Sequence, residues 1–522
     1  MTPSRSTTTP LVTGPRRFGL QYRYQALIVV CTIVFLETVD FSLINVALPT
    51  LAQEFDAGLS SILWLPLSSI LVSTGLMLTM GRLGDLYGRK AIFSGGILFF
   101  TLGLILSAVA GSLTELIIAR VIQAVGIAMS LSNLFAIITA AFPPSSRGHA
   151  LGFQGLTVGA GLAAGPILGG VMLDILNWRA LFWSRLPLSL LAAALALWLL
   201  RDPPSQSRSR GLDLPGAAVL FGLLFSLVLA VNRGDDWGWS SAAVLSSLTV
   251  GAVLLVAFLL IERRSASPVI ALGLFRLRRF AAGTSVAVLA FGGTAMIAVL
   301  MPFYLIDALG FSTLKTGAVM AAMTLAMLVA SPVAGRLSDR MGPRLLTTVG
   351  LATAVVGMLL LTSLATDSSL LTIIGWLIVV GLGIGLWQTP NNSSIMGSVP
   401  TERLGTASAS VITARLIGQA IGIALGGAIF SARAASHAQA RSPLGLDDPL
   451  VRPAALLDGM ELAFLVGAVI AVSAALLAWF GVGGPGWLPR PFRFSGGKSA
   501  ARPGTSSSET GDSAVTPPPQ GD

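Results

Sequence analysis

The sequence predicts an all-helical, polytopic membrane protein: two related six-helix halves with two additional helices between them. Three observations predict it. The chain is strongly apolar: 54% of its 522 residues are hydrophobic and 11% charged, with a mean hydropathy of +0.81, whereas a soluble domain carries about 25% charged residues. The apolar residues gather into stretches of roughly 20, the length a helix needs to cross hydrocarbon. Finally, the chain repeats itself once. Gly81-Arg82-Leu83-Gly84-Asp85-Leu86-Tyr87-Gly88-Arg89 returns as Gly335-Arg336-Leu337-Ser338-Asp339-Arg340-Met341-Gly342-Pro343-Arg344, and Pro144-x-x-Arg147 returns as Pro400-x-x-Arg403. Gly161, Gly165, Gly169 and Gly170 return as Gly418, Gly422, Gly426 and Gly427, each displaced by 257. A duplicated helix bundle with a site between its halves is the construction of many secondary transporters.

In chain order, spans are expected at about 26–48, 61–81, 91–110, 114–138, 150–173, 181–200, 214–232, 241–261, 281–306, 316–335, 345–365, 370–389, 405–430 and 460–481, fourteen in all. They divide the chain into a cytoplasmic tail (1–25), a first half (26–200), a linker carrying the two extra helices (201–280), a second half (281–482) and a tail (483–522). The tail is rich in Gly, Pro and Ser and is expected to be disordered. Residues 263–280 carry Arg276, Arg278 and Arg279 near their end, which suits an amphipathic segment along the membrane surface.

The excess of 33 Lys and Arg over 23 Asp and Glu does not point to nucleic acid, because of where it sits. Arg120, Arg185 and Arg415 fall within spans. Arg179, Arg233, Lys315, Arg433, Arg441 and Arg452 fall on the side away from the termini, and every other Lys and Arg falls on the terminal side. That bias is the positive-inside pattern; it predicts a multi-pass protein of the cell (inner) membrane with both termini cytoplasmic. Cys31 is the single cysteine, so no internal disulfide forms. The first apolar stretch is too long for a signal peptide and lacks a small-residue cleavage site. Gly497-Lys498-Ser499 imitates the end of a phosphate-binding loop, but Phe492 occupies the earlier glycine position and no strand precedes it. No nucleotide, cofactor or metal is expected. His149 and His437 fall outside the spans, which argues against a histidine proton carrier. An enzyme acting on lipid-linked substrates would need carboxylate or histidine clusters on sizeable loops. The only sizeable outer loop expected, about 431–458, carries none.

The candidate site lies among the charges inside the spans, each costing at least about 2.5–3.5 kcal/mol at mid-bilayer. Glu37 and Asp40 are three apart and so share a helical face, and mutual repulsion with desolvation makes the pair able to hold a proton near neutral pH. Arg120 is at a similar depth and can pair with Asp40. Two readings follow: Asp40, with Glu37, exchanges protons while Arg120 balances the charge, or Asp40 and Arg120 form a permanent bridge between spans one and four. Asn45, Gln123, Arg415, Gln419, Gln388 and Asn391 are candidate cavity residues. Trp387 and Asn392 sit beside the last two, with membrane anchoring the alternative role for the tryptophan. Arg185 is near enough to the outer end of span six to snorkel.

The matched loops (Gly81, Arg82, Asp85, Gly88 and Arg89; Arg336, Asp339 and Gly342) form candidate inner latches. Asp85 is directed to the helix start near Gly405 and Asp339 to that near Gly148, unless these are only topology-setting charges. The rows Gly161, Gly165, Pro166, Gly169, Gly170 and Gly418, Gly422 flatten a helix face and, at Pro166, weaken its ladder. They suit either a moving interface between halves or static small-residue packing.

These residues resemble the major facilitator superfamily, specifically the fourteen-span drug:proton antiporters of the EmrB/QacA type, over about residues 26–482. Gly81 to Lys90 resembles the loop signature between helices two and three, and Arg120-x-x-Gln123-x-x-Gly126 that of helix four, with Ala124 in place of a usual glycine. Gly161-Leu-Ala-Ala-Gly165-Pro166-Ile-Leu-Gly169-Gly170 is similar to the fifth-helix antiporter signature. Asp40-Phe-Ser42-Leu-Ile-Asn45-Val-Ala-Leu-Pro49 is similar to the first-helix signature. Glu37 is an additional acid, and Arg185 stands where the family commonly has asparagine before a proline, here Pro187. The resemblance implies a proton-coupled exporter of small amphipathic compounds that rocks about a central cavity. The partners expected are a small-molecule substrate, protons and the lipid bilayer, with the protein a monomer. A metabolite importer or facilitator on the same fold is the alternative.

Overall fold

The computed structural model describes residues 21–143, 146–202, 214–264, 272–400, 404–448 and 450–482. The first half comprises α1 (Tyr22–Glu54), the short α2 (Leu59–Ile62), α3 (Trp64–Tyr87), α4 (Arg89–Val109), α5 (Leu113–Ala141), α6 (Arg147–Ile175), the short α7 (Ala180–Trp183) and α8 (Leu186–Leu199). The inserted pair is α9 (Leu214–Trp237) and α10 (Ala242–Arg264). The second half is α11 (Arg278–Phe303), α12 (Thr313–Met341), α13 (Pro343–Leu361), α14 (Leu370–Met396), α15 (Leu404–Arg441) and α16 (Arg452–Gly481). Among the described residues, fourteen helical stretches are long and apolar enough to cross a membrane, as expected. The even number puts Tyr22 and Gly481 on one face, called here the terminal face; the opposite one is the far face.

Local chemistry sets the helix ends. On the far face, Ser112, Ser312 and Ser369 each accept a hydrogen bond from the backbone N–H three residues on, capping α5, α12 and α14. On the terminal face, the matched loops turn at Gly88 (φ 99°) and Gly342 (φ 84°), a conformation that side-chain-bearing residues rarely adopt. Two boundaries differ from expectation. α15 runs on to Arg441, and α16 starts at Arg452, so most of the expected loop at 431–458 is helix. With 38 residues, α15 is about 57 Å long, and its last turns outreach the hydrocarbon. The polar linker (203–213), the segment 265–271, Pro144, Arg403 and the tail with its Gly497-Lys498-Ser499 sequence lie outside the described residues. The segment that follows is a short 3-10 helix (Leu272–Arg276) entering α11.

The glycine rows face inward within each half. Gly161, Gly165 and Gly169 lie against Thr38, Ser42 and Leu43 of α1, and Gly418, Gly422 and Gly426 lie against Val288, Gly292 and Met296 of α11. This corrects the moving-interface expectation for most of the row: residues four apart form one stripe, and that stripe is used by the neighbour in the same half. Only Gly170 and Gly427 reach the other half, meeting Thr313–Leu314 and Leu63. A methyl group at Gly422 would overlap the Gly292 carbonyl oxygen, a backbone atom that cannot swing aside. Gly422→Ala is therefore expected to cost about 1–3 kcal/mol, checked by thermal unfolding in detergent.

The halves meet along α6–α12 and α3–α15. The α6–α12 seam is closed toward the far face. Thr313 Oγ1 donates to the Gly170 carbonyl at 3.2 Å and Gly317 sits against the Pro166 carbonyl; beside the seam, Gln53 Nε2 of α1 donates to Asp307 Oδ1, past the end of α11, at 2.9 Å. Gly159 still meets Leu328, but one and two turns nearer the terminal face Gly155 and Gly152 meet nothing. Both glycines are exposed on the side of α6 that carries Gly159, so the seam opens toward the terminal face.

The inserted helices are not peripheral in one respect: α9 packs on both α3 and α15. The Phe221 ring covers Gly75 of α3, Asn232 Nδ2 donates to the Ser60 carbonyl at 2.7 Å, and the Ser60 hydroxyl donates to Asp236 at 2.6 Å.

Candidate functional site

The site grows out of α1, a 33-residue, largely apolar helix that carries Glu37 and Asp40 one turn apart, 6% and 1% exposed. Donors surround Asp40. Arg120 Nη1 donates to its Oδ2 at 2.6 Å, Gln123 Nε2 donates to Oδ1 at 3.0 Å, and Arg185 Nη1 also donates to Oδ1. Arg120 Nη1 donates to Gln123 Oε1 at 2.6 Å as well. Arg120 and Gln123 are three apart on α5, so both reach the same carboxylate. The expected Asp40–Arg120 pairing is present. Such ionised pairs give short, strong hydrogen bonds.

Arg185 does not snorkel. It is 5% exposed, and its Nε also donates to the Leu181 carbonyl at 2.7 Å. The cause is the break between α7 and α8. Pro187 has no N–H, and its ring crowds the carbonyl four residues back, so the chain kinks at Ser184–Arg185 and the guanidinium is free to point inward.

Glu37 is in different surroundings. Its Oε1 is paired with the Ser130 hydroxyl of α5, and its Oε2 is buried with no hydrogen-bond partner among the described residues. Ser130 Oγ is also 2.8 Å from the Gly126 carbonyl. A hydroxyl has one hydrogen to donate. Either Ser130 donates to Glu37, or it donates to Gly126 and accepts a proton-bearing oxygen from Glu37.

The remaining cavity candidates divide. Gln123 (0% exposed) belongs to the charge cluster, and Asn391 (0% exposed) donates to the Gly283 carbonyl at 3.0 Å, packing α14 on α11. Both are corrections to a cavity-lining role: each faces a neighbouring helix. Trp387 is neither an anchor nor a liner, being wholly buried with its ring 5.1 Å from that of Phe291. Asn45 is 5% exposed with a buried, unpartnered Oδ1. Arg415, Gln419, Gln388 and Asn392 are half-buried.

At the terminal face Asp85 pairs with Arg89 of its own loop at 3.0 Å, while Arg336 and Asp339 are exposed. The surroundings of Gly148 and Gly405, the helix starts where the latches are expected, lie outside what the structure describes. A residue missed in the sequence caps α4 instead: Asp202 Oδ1 accepts from the Lys90 N–H at 2.8 Å. It sits in a Pro- and Ser-rich stretch read only as linker, and nothing local marks its partner. His437, expected in a loop, lies on the extension of α15 and is 2.9 Å from Asp458. Among the described residues no group of His, Cys, Asp and Glu could hold a metal ion.

A profile described as Major Facilitator Superfamily matches residues 30–423. The chain is 31% identical to the riboflavin transporter RibZ of Clostridioides difficile over 415 residues, covering 79% of this chain and 89% of that protein. It is 32% identical to the puromycin resistance protein pur8 of Streptomyces alboniger over 468 residues, covering 88% and 91%. The fold is similar to that of a bacterial homolog of the human lysosomal transporter Spinster, solved inward-facing and unoccupied (TM-score 0.62, 18% identity, covering 88% of this chain and 97% of that one). With the family profile spanning most of its membrane helices, the chain belongs to the Major Facilitator Superfamily and is a multi-pass membrane transporter rather than an enzyme.

Proposed function

We propose that this protein is a proton-coupled antiporter that exports small amphipathic or lipophilic compounds, including antibiotics, by alternating access. The observation that carries the reading is the buried cluster of Glu37, Asp40, Arg120 and Arg185 on α1, α5 and the α7–α8 break. Ionisable groups at this depth are expensive and are kept where they do work. Within the cluster the two carboxyls have separate tasks. Asp40 holds two guanidiniums and is the fixed charge. Glu37 has only a hydroxyl beside it and takes and releases the proton, with Ser130 redirecting its own hydrogen between Gly126 and Glu37 as it does so.

The terminal face, which carries the basic loops, is the cytoplasmic side of the cell membrane in this reading, so the parted α6 and α12 form the mouth through which cargo enters. Asp85 and Asp339, turned to their own loops or to solvent in this state, become the latches of the opposite state. Resemblance to a puromycin resistance protein supports export of drug-like compounds. Resemblance to a riboflavin transporter favours a second reading, carriage of a single metabolite.

The test is uptake by inside-out vesicles of cationic, neutral and anionic dyes and of riboflavin, with the lumen acidified. Accumulation of several unrelated dyes that disappears when nigericin collapses the gradient is the expected result. Undiminished accumulation without a gradient rules out the antiporter, and uptake of riboflavin alone favours the second reading. Each charge moved through 100 mV supplies about 2.3 kcal/mol, enough to bias a cycle several-tenfold.

A further inference from the structure

One half-buried charge within the spans is left unused by the proton-coupling cluster. Arg415 lies 11 residues into α15, about 16 Å from its start at 1.5 Å per residue. Gly159, where α6 and α12 close, lies 12 residues into α6, about 18 Å from the same face. Arg415 therefore sits just below the level at which the seam shuts, reachable from the terminal face. Arg120 and Arg185 share Asp40, Arg344 lies over the Trp479 ring, and Arg278 donates to the Phe480 carbonyl. Among the described residues nothing comparable reaches Arg415: its Nε is buried without a partner, and no acid pairs with its guanidinium.

Its neighbours can be placed by register. Ser408 of α15 touches Met396 Sδ of α14 at 3.7 Å, and the two helices run antiparallel. Two turns along α15 from Ser408 brings the same side of the helix to Arg415, level with Gln388–Thr389 of α14. Gln419 follows one turn beyond. Gln388 and Gln419 are half-buried, and neither makes a hydrogen bond among the described residues.

We infer that Arg415 is the docking charge for a carboxylate on an otherwise apolar cargo, with Gln388 and Gln419 as the neutral groups beside it. This rests on the transporter reading above and narrows its substrate class. An arginine at mid-bilayer with no internal counter-charge is costly until a ligand brings one. The guanidinium fork matches a carboxylate with two parallel hydrogen bonds, which a lysine ammonium cannot reproduce. The second half thus selects cargo while the first handles protons, and the two tasks use different arginines.

The test uses two dyes that differ only at one group, rhodamine 110 with a free carboxyl and rhodamine 123 with its methyl ester. Binding to purified protein in detergent is read by fluorescence polarisation. No gradient is present, so failure of proton coupling in vesicles and failure here are separate results. The wild type is expected to bind the acid about tenfold more tightly than the ester, the scale of one charge-assisted pair. Arg415→Gln is expected to bring the ratio near one, and Arg415→Lys to restore part of it. A ratio near one in the wild type, no saturable binding of rhodamine 110, or an unchanged preference in a correctly folded Arg415→Gln variant overturns the assignment.

Discussion

Asp40→Asn is expected to abolish transport and to lower the stability of the purified protein by about 3–5 kcal/mol, the scale for removing one partner of a buried ionic network. The amide keeps the shape of the side chain but removes the charge that Arg120 and Arg185 share. Two guanidiniums would then face each other at 2% and 5% exposure. Repulsion alone should loosen α5 from the α7–α8 break. A double variant, Asp40→Asn with Arg185→Gln, restores the charge balance and is expected to recover most of the melting temperature in detergent, but not transport. Wild-type stability in Asp40→Asn would mean that the network is not what joins these helices.

Glu37→Gln is expected to do the opposite: a folded protein with near-normal stability that no longer couples. Glutamine copies the protonated acid, since its amide can donate to Ser130 Oγ while Ser130 donates to Gly126. Nothing charged is orphaned, because no cation pairs with Glu37 among the described residues. In vesicles, cargo-for-cargo exchange should persist, while uphill accumulation driven by an acid lumen should fall at least about tenfold, the consequence of losing the only step that senses proton concentration. Coupling retained in Glu37→Gln would return the proton to Asp40.

These two variants also mark how far the sequence could be read. Period and length located the fourteen spans, because a bilayer imposes them on any chain that crosses it. The Asp40–Arg120 pair was legible from depth alone, one residue count on each of two helices. Arg185 was not, since its direction depends on a kink at Pro187 and on which helix the kink faces. The same gap explains Gln123, Asn391 and the glycine stripe: spacing shows which residues share a face but not which neighbour that face meets. Asp202 was hidden for a related reason, its partner being the Lys90 N–H, more than a hundred positions earlier in the chain.

The seat of α9 on α3 and α15 together has a mechanical consequence. These two helices belong to different halves, so a bundle that rocks must drag the inserted hairpin along with one of them and let it skid along the other. Phe221 sunk over Gly75, and Asn232 and Asp236 hooked to Ser60, make the first half the carrier. The face toward α15 is then a slideway, and a covalent crosslink placed there would freeze the cycle while one placed on the α3 side would leave it running.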